Sequence, residues 1–425
     1  MDGTEDIVEL LLTTAIYNEG DISPDDLPRN MRQNYWDPNK GRMKNPIEVT
    51  DRDVEEIYGI KDAQKFVKSI PFIDYIEFGS KIRLINLEMG TKWFLNREGS
   101  LERVNNNPVL ARYFVDRGLI DIDCDAVKCR NPPLSSDRGW TEFLLNDLSK
   151  DKKMIAALDL VKIYSPEDIL FSMEDLVVTE EQMAELEKMA VAIENSEYLG
   201  RLKLYDIGKL LFIGPPGTGK TTLARATTKY FGLPMVEVRI SMIIDQYLGE
   251  TSKNIDRVFE LAKRISPCIL FIDEFDFIAK TRTSDEHSAV KRAVNTLLKS
   301  IDEISLINDG VLLIGATNHP QLLDIAAWRR FDAVVYFPLP DDEMKERILE
   351  ILLSNVEGEF DLKEIVKLTE GFSGSDLRLI VKGAVLGGLK EKRKDITEKD
   401  LLRSANEINR RKELKEDIGG YFGIE

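Results

Sequence analysis

Short apolar runs alternate with amphipathic stretches through the second half of the chain, and this alternation predicts a parallel α/β sheet. The run Cys268–Ile272 is continuously apolar, as expected of a strand that helices cover on both faces. Between the runs, apolar residues recur with helical spacing, as at Ile255, Val258 and Phe259. The pattern predicts a five-stranded parallel sheet with helices on both faces, and the strands are Lys209–Ile213, Pro234–Ile240, Cys268–Ile272, Val311–Ala316 and Val334–Phe337.

The end of the chain shows only helical periodicity. Pro338 and Pro340 break the sequence after the last apolar run, and no further strand pattern follows. The periodicity predicts a small all-helical domain with helices at Asp341–Leu353, Leu362–Leu368, Ser373–Leu389 and Thr397–Leu414.

The first part of the chain mixes short helical patterns with polar loops. Helices are predicted at Thr50–Tyr58 and Asp62–Ser69, followed by a hairpin of Tyr75–Phe78 and Lys81–Asn86, with β character continuing over Thr91–Asn96. Helix, turn, helix and hairpin is the order of a winged-helix domain, so we expect a winged-helix-like α+β domain. Such a domain suggests DNA binding, but residues 1–150 hold 27 Asp+Glu and 20 Lys+Arg. This balance favours docking of proteins over binding of a phosphate backbone.

The composition narrows the class of protein further. A formal charge of −17 over 425 residues disfavours nucleic acid as a partner. Three cysteines argue against a disulfide framework and for a reducing compartment. The N-terminus is acidic, unlike a signal peptide, and no apolar run approaches the roughly 18 residues of a membrane span. We therefore expect a cytoplasmic protein without a membrane segment.

A glycine-rich loop joins the first of the five strands to a helix predicted at Thr221–Phe231. Its sequence, Gly-Pro-Pro-Gly-Thr-Gly-Lys-Thr, matches the phosphate-binding loop of ATP and GTP enzymes at full spacing. Glycines let backbone N–H groups turn toward phosphate oxygens, and the helix N-terminus faces the same anion. Lys220 supplies a charge for the β and γ phosphates, and the Thr221 hydroxyl is a ligand for Mg²⁺. The predicted nucleotide-binding residues are Gly214, Pro215, Pro216, Gly217, Thr218, Gly219, Lys220, Thr221 and Thr222.

Two adjacent carboxylates follow the strand Cys268–Ile272. A carboxylate at this place in a phosphate-loop enzyme holds Mg²⁺ through water, and we assign that role to Asp273. Its neighbour Glu274 is the candidate general base that polarises the attacking water. An Asp-Glu pair at a strand end is common by itself, but after a phosphate loop it is a specific signal. The two motifs together predict Mg²⁺-dependent hydrolysis of ATP.

These motifs resemble the AAA family of ATPases, the ring-forming remodelling enzymes, over about half the chain. Further segments match in the expected order. Ala-Thr-Asn at 316–318 is similar to the sensor-1 segment, which implies that Asn318 lies near the γ-phosphate and the attacking water. The turn at 371–377 is similar to the start of the lid helix that touches the nucleotide, and the segment 173–177 lies where the family holds adenine. The resemblance thus implies five more nucleotide-binding residues, which are Gly374, Ser375, Asp175, Leu176 and Val177.

The sequence Trp-Arg-Arg-Phe-Asp at 328–332 resembles the arginine-finger segment of the same family. The resemblance implies that Arg329 and Arg330 reach the γ-phosphate bound by a neighbouring subunit. Such a finger is worth about 10³ to 10⁵ in kcat in related phosphoryl-transfer enzymes. An interface of this head-to-tail kind closes into a ring, which by family analogy is a hexamer. The alternative for these two residues is a pair of solvated surface arginines.

The loop after the second strand carries Tyr247 and Leu248, at the place where the family lines its central pore with an aromatic residue. An aromatic ring offers a large contact face to an extended polypeptide at small entropic cost. The alternative is a tyrosine packed beneath its own loop. The polar segment 281–287 is a candidate second pore loop. The chain departs from the family pattern at Val177 and Val178, where glycines are usual, and at Gln246, where lysine is common.

We expect three domains: 1–160 for recognition of substrates or partners, 161–340 for nucleotide binding, and 341–425 as a helical lid. The leading hypothesis is an oligomeric ATPase that remodels or unfolds proteins through a central pore. The alternative is a nucleic-acid-associated AAA ATPase that uses the winged-helix-like domain. A third possibility gives the motor a protease partner. The absence of a His-Glu-x-x-His motif and of a hydrophobic-Tyr-x terminus favours an independent remodeller.

Overall fold

The computed structural model describes residues 3–20, 22–38, 40–238, 251–276, 288–323, 325–356, 358 and 360–422. The chain divides into two compact units, Met1–Asp147 and Leu148–Glu425. The expected boundary at residue 160 falls inside the second unit. The reason is that the helix Lys152–Leu158 packs against the helix Thr251–Ile265 of that unit.

The N-terminal unit is an α+β structure. Its helices are α1 Gly3–Asn18, α2 Arg29–Arg32, α3 Asp51–Tyr58, α4 Ala63–Val67, α5 Leu87–Leu95, α6 Ser100–Val104, α7 Pro108–Asp116, α8 Cys124–Arg130 and α9 Arg138–Leu148, whose last residue begins the second unit. Short 3₁₀ turns lie at Pro24–Asp26 and Leu134–Ser136. Its strands are β1 Trp36–Asp37, β2 Arg42–Met43, β3 Val49–Thr50, β4 Ile73–Ile76 and β5 Lys81–Leu84.

The middle of this unit has the order of two helices and a hairpin that the sequence predicts. Strand β3 is followed by the helices α3 and α4 and then by the hairpin of β4 and β5. The three strands form an antiparallel sheet in the order β3-β5-β4. Helix α3 begins with a capping box, in which Thr50 and Asp53 each accept a hydrogen bond from the other's backbone N–H.

The predicted β character of Thr91–Asn96 is wrong, because these residues lie mainly in helix α5. The Asn86 side chain accepts a hydrogen bond from the backbone N–H of Met89 and caps the helix, at 2.9 Å. Gly90 faces the hydrophobic core, where an added Cβ would lie 3.1 Å from Leu84. Packing of one helical face against the core therefore outweighs the local β propensity.

The second unit contains the predicted α/β sheet and helices. Its strands are β6 Val161–Tyr164, β7 Lys209–Ile213, β8 Met235–Val238, β9 Cys268–Ile272, β10 Val311–Thr317 and β11 Ala333–Tyr336. Its helices up to the lid are α10 Lys152–Leu158, α11 Glu180–Glu194, α12 Ser196–Arg201, α13 Lys220–Phe231, α14 Thr251–Ile265, α15 Ser288–Glu303, α16 Leu306–Asp309 and α17 Ile325–Trp328. Short 3₁₀ turns lie at Pro166–Asp168, Met173–Asp175 and Pro320–Leu322.

The sheet has the strand order β11-β7-β10-β9-β8-β6. The five predicted strands pair in parallel, which confirms that part of the fold. Strand β6 is an addition, since it pairs antiparallel with β8 at the edge of the sheet. Its Tyr164 ring lies 5.4 Å from the guanidinium of Arg225, which also forms two hydrogen bonds with Glu237 of β8. The edge strand is thereby joined to the helix that follows the phosphate loop.

The end of the chain forms the predicted helical lid. Its helices are α18 Asp342–Leu353, α19 Leu362–Leu368, α20 Gly374–Lys390 and α21 Glu398–Phe422. They enclose a separate hydrophobic core that includes Leu349, Ile365, Leu377 and Leu401, each fully buried. Among the helices that the structure describes, none is both long and apolar enough to cross a bilayer.

Candidate active site

The phosphate loop lies between strand β7 and helix α13 and has a backbone that requires glycine at two positions in particular. Gly214 has a φ of 151°, and an added Cβ would lie 2.1 Å from the carbonyl oxygen of Phe337. Gly217 has a φ of 78°, and an added Cβ would lie 2.2 Å from the Ser375 hydroxyl. Both positions lack room for a side chain and have a φ that other residues rarely adopt. The loop therefore has the tight curvature that a phosphate cradle needs.

Lys220 lies under this loop and is almost completely buried. Its ammonium donates hydrogen bonds to the carbonyl oxygens of Gly214 and Pro215, at 2.8 and 2.7 Å. Burial lowers the pKa of Lys220 to about 8, although the carboxylates of Asp273 and Asp276 oppose this shift. The ammonium is thus held inside its own loop by neutral acceptors, and a negatively charged phosphate would be a better partner for its charge.

Thr221 and Asp273 come from different elements and meet directly. The Thr221 hydroxyl, in the first turn of α13, donates to a carboxylate oxygen of Asp273 at 2.8 Å. Asp273 follows strand β9, and its other oxygen accepts from the backbone N–H of Glu274 at 2.8 Å. A hydroxyl beside a carboxylate is a donor set that suits Mg²⁺, which prefers oxygen ligands and retains several waters. These two residues therefore fit the metal that the sequence predicts.

Glu274 is exposed and has a φ of 53°. This left-handed conformation is uncommon for a residue with a side chain, and such strain is concentrated at functional sites. Asn318 is half-buried and follows the adjacent strand β10. Because β9 and β10 are parallel neighbours, both residues lie at the same edge of the sheet.

A second polar pair, Thr317 and Asp276, stabilises this edge of the sheet. The Thr317 hydroxyl donates to a carboxylate oxygen of Asp276 at 2.9 Å, and both residues are buried. The backbone N–H of Phe275 donates to the carbonyl oxygen of Ala316 at 2.8 Å. These bonds extend the contact between the two strands beyond the sheet ladder and fix the segments that carry Glu274 and Asn318. The sequence offered only the acidic residue at 276 as a signal for this pair.

The lid reaches the phosphate loop through the start of helix α20. The backbone N–H of Ser375 donates to the carbonyl oxygen of Gly217 at 3.1 Å. Gly374 faces the same oxygen, since an added Cβ there would lie 3.5 Å from it. The structure thus brings both predicted lid residues against the loop. Thr218 also closes the loop on itself, through a bond from its hydroxyl to the carbonyl oxygen of Pro215 at 2.8 Å.

The segment proposed to hold adenine lies at the 3₁₀ turn Met173–Asp175. The carboxylate of Asp175 accepts hydrogen bonds from the backbone N–H and the hydroxyl of Ser172, at 2.6 and 3.1 Å, and these bonds lower its pKa. Leu176 is half-buried and packs against the core below helix α13, and Val177 is half-buried beside it. The Asp175 side chain therefore stabilises the turn, and the backbone at 176 and 177 is the part that a base could contact.

The paired arginines differ in their surroundings. Arg330 forms an ion pair with Asp302 at 3.0 Å and donates to the carbonyl oxygens of Leu298 and Ala326. Arg329 is exposed, and its side chain makes no hydrogen bond or ion pair in the described part of the chain. Just after them, the Phe331 ring packs edge-on against the Phe275 ring, with centroids 5.4 Å apart.

Three of the predicted nucleotide-binding residues, Pro216, Gly219 and Thr222, lie in the phosphate loop or in the first turn of the helix after it. Pro216 is exposed at the top of the loop, and Gly219 has a φ of 101° immediately before helix α13. Thr222 is half-buried in the first turn of that helix. Tyr247 and Leu248, with the candidate second pore loop at 281–287, lie outside the described residues.

Comparison with known proteins identifies the family. Residues 210–339 match the model of the ATPase family associated with various cellular activities (AAA), and residues 359–403 match the AAA+ lid domain. An uncharacterized AAA family ATPase of Sinorhizobium fredii is 36% identical over 60% of this chain and 76% of its own length. The proteasome-activating nucleotidase of Methanothermobacter thermautotrophicus is 31% identical over 59% of this chain and 64% of its own length.

A solved structure has the same fold. The crystal structure of the FIGL-1 AAA domain superimposes with a TM-score of 0.51, covers 60% of this chain and 89% of that one, and is 24% identical. At this identity the likeness concerns the fold alone. With the family model, the lid and the Sinorhizobium relative in agreement, the chain belongs to the AAA family of P-loop ATPases.

Proposed function

We propose that this ATPase is a motor of six subunits in a ring, which hydrolyses ATP with Mg²⁺ and remodels or unfolds protein substrates through a central pore. The observation that carries the proposal is the exposed side chain of Arg329, which has no partner among the described residues, next to the bound side chain of Arg330. A second support is the Methanothermobacter relative, whose name joins a nucleotidase activity to activation of a proteasome.

Within one subunit, the chain's own residues have separable tasks. Lys220 would exchange its two carbonyl partners for the β and γ phosphates, because a phosphate oxygen carries a full negative charge and a carbonyl oxygen only a partial one. The Thr221 hydroxyl and, through water, Asp273 would hold Mg²⁺, which when bound neutralises charge on the phosphates. Glu274 would accept a proton from the attacking water, and Asn318 would orient that water.

The arginine finger would come from the neighbouring subunit. Arg330 is held by Asp302 and by two carbonyl oxygens, so it fixes the short helix Ile325–Trp328 within its own subunit. Arg329 has no competing partner in the described part of the chain, so reaching a second subunit costs it no existing bond. We therefore assign transition-state stabilisation to Arg329 and positioning to Arg330.

Mixed oligomers test whether the site is shared. We expect Lys220→Ala and Arg329→Ala each to abolish hydrolysis, the first by loss of nucleotide binding and the second by loss of the finger. In a one-to-one mixture, an Arg329→Ala subunit can bind ATP and receive Arg329 from a Lys220→Ala neighbour. Random assembly then restores about a quarter of the wild-type rate, because a head-to-tail interface combines one site with one finger.

The control is a mixture of Lys220→Ala with Glu274→Gln. Both changes damage the site within a subunit, so no interface regains all of its parts and the mixture stays inactive. An inactive mixture of Lys220→Ala with Arg329→Ala, with oligomers of normal size, would contradict the shared site. Hydrolysis at the wild-type rate by Arg329→Ala alone would contradict the finger.

The pore is tested through substrate retention. The Glu274→Gln variant should bind ATP without hydrolysing it and should retain client proteins in ATP but not in ADP. Adding Tyr247→Ala to this variant should release the clients while the oligomer remains intact. Retention that is the same with and without Tyr247→Ala would rule out gripping by this residue.

The winged-helix order of the N-terminal unit favours a nucleic-acid-associated ATPase as the second candidate. The lysines of the N-terminal unit argue against binding of nucleic acid. Lys65 pairs with Asp62 at 2.6 Å and Lys61 lies 4.0 Å from Glu55, so acidic neighbours offset the charge of this face. Titration with short duplex DNA at low and high salt discriminates the candidates. Binding that weakens steeply with salt would support the nucleic-acid candidate, and absence of binding at low salt would remove it.

A further inference from the structure

We infer that Lys412, on the last helix α21, is a positioning residue that sets the nucleotide affinity of the phosphate loop by holding the lid turn at 371–376 in place. This role of Lys412 lies in ATP binding by the family fold and does not depend on the proposed pore or ring.

The lid turn is in direct contact with the loop. Besides the bond from the Ser375 N–H to Gly217, the hydroxyl oxygens of Ser373 and Ser375 lie 2.9 Å apart. An added Cβ at Gly217 would lie 2.2 Å from one of these hydroxyls and 2.7 Å from the other. The position of the turn therefore determines the space available to the loop at Gly217.

The carboxylate of Asp376 joins this turn to the last helix. Oδ2 of Asp376 accepts from the backbone N–H and from the hydroxyl of Ser373, each at 2.9 Å, in the capping box that starts helix α20. The same oxygen accepts from the ammonium of Lys412 at 2.9 Å. Lys412 thus acts on Ser373, and through it on Ser375, by way of the cap.

Two further contacts fix the helix that carries Lys412. Its ammonium lies 3.7 Å from the centroid of the buried Phe372 ring, as in a cation–π interaction. Three residues earlier, and so on the same helical face, the side-chain amide of Asn409 donates to the carbonyl oxygen of Leu368 at 2.8 Å. The last helix therefore holds the segment 368–376 at both ends.

The hydrogen bond from Lys412 favours the charged form of the Asp376 carboxylate. Burial alone raises the pKa of Asp376, but the hydrogen bonds from Lys412 and Ser373 together hold it below its ordinary value. The carboxylate is thus ionised at neutral pH, and removal of Lys412 leaves it half-buried, with the cap as its remaining partner among the described residues. We expect the turn then to occupy other positions for part of the time.

The expected effect is on affinity and not on chemistry. If the turn occupies its loop-contacting position in only a fraction of molecules, the Kd for nucleotide rises by the inverse of that fraction. Glu274 and Asp273 follow a buried strand of the sheet, away from the lid helices in sequence. Loss of Lys412 should therefore raise the KM for ATP and leave kcat nearly unchanged.

The test compares two lysine-to-methionine changes on the same helix. Lys412→Met should weaken binding of a fluorescent ADP analogue about tenfold, the effect of about 1.4 kcal/mol, and should raise the KM for ATP similarly with kcat within about twofold. Lys399→Met is the control, since the Lys399 side chain is exposed and makes no hydrogen bond or ion pair in the described part of the chain. It should bind as the wild type does. Lys412→Arg keeps the charge and should restore most of the affinity.

A second variant keeps the test decisive if Lys412→Met folds poorly. Asp376→Asn retains an acceptor for Ser373 and loses the charge that Lys412 pairs with, so its affinity should fall in the same way. The double variant should lose no more affinity than the larger single loss, because both act through one contact. Unchanged affinity in a folded Lys412→Met, an equal loss in Lys399→Met, a fall in kcat without a rise in KM, or additive losses in the double variant would each overturn the inference.

Discussion

The buried ammonium of Lys220 makes nucleotide binding depend on pH in a range where an ordinary lysine does not titrate. Its pKa is lowered to about 8 by burial beneath the phosphate loop. The ammonium is therefore about 90% protonated at pH 7 and about 10% protonated at pH 9. Since the phosphates bind the charged form, the apparent Kd rises by the inverse of the protonated fraction. Binding should be about tenfold weaker at pH 9 than at pH 7.

The direction follows from the two protonation states. Phosphates raise the pKa of Lys220 in the complex above its value in the free protein, so affinity is full below about pH 8 and declines as the pH rises through that value. The nucleotide contributes little to this slope, because phosphate groups lose their last proton near a pKa of about 6. A lysine with a pKa of about 10.4 would give almost no change over the same range.

Titration of a fluorescent ADP analogue at pH 7, 8 and 9 measures the effect without hydrolysis. Lys220→Arg is the matched control, because a guanidinium stays charged throughout this range. Its affinity should be flat with pH even if it is lower in absolute terms. Equal Kd values at pH 7 and pH 9 in the wild type, or the same slope in Lys220→Arg, would refute the reasoning.

Three further predictions concern the same unit. Gly217→Ala should weaken ADP binding at least about tenfold, because a Cβ at a φ of 78° costs roughly 1–2 kcal/mol and meets the Ser375 hydroxyl at 2.2 Å. Ser375→Ala, added to this variant, should recover part of the loss in the same titration. Arg225→Met should lower the free energy of unfolding by about 2 kcal/mol in chemical denaturation, because Glu237 loses two charged hydrogen bonds. Cys268, buried and with its pKa raised by burial, should resist alkylation at pH 8 until the protein unfolds, as peptide mass spectrometry can measure.

The sequence was sufficient wherever a local pattern encodes the contact. The strand Lys209–Ile213, the loop and the helix after it are consecutive, so their spacing alone locates the phosphate cradle. Asp273 and Asn318 were placeable because carboxyl ends of parallel strands meet at one edge of the sheet. The sequence did not predict the edge strand Val161–Tyr164. Its four residues are too few for the alternation of apolar and polar side chains to distinguish a strand from a linker.

Other features depend on partners distant in the chain, which one sequence does not reveal. Thr91 has the propensity of a strand residue but lies in helix α5, where packing decides its conformation. Arg329 and Arg330 are adjacent and chemically identical, yet only the latter meets Asp302. Lys412 lies in a charged helix with no motif around it, and its contacts with Asp376 and Phe372 are visible only in the folded structure.

The contact at Gly217 restricts how nucleotide binding can affect the rest of the subunit. The loop touches the lid where no side chain fits, so a shift of Gly217 by more than a few tenths of an ångström must displace Ser375 or carry it along. Ser375 lies in the first turn of helix α20, whose other face packs in the closed core of the lid, so displacement of the turn alone would break its cap at Ser373. Movement of the whole lid breaks none of these bonds. A rigid rotation of the lid, with the last helix as part of its core, is therefore the response that costs least.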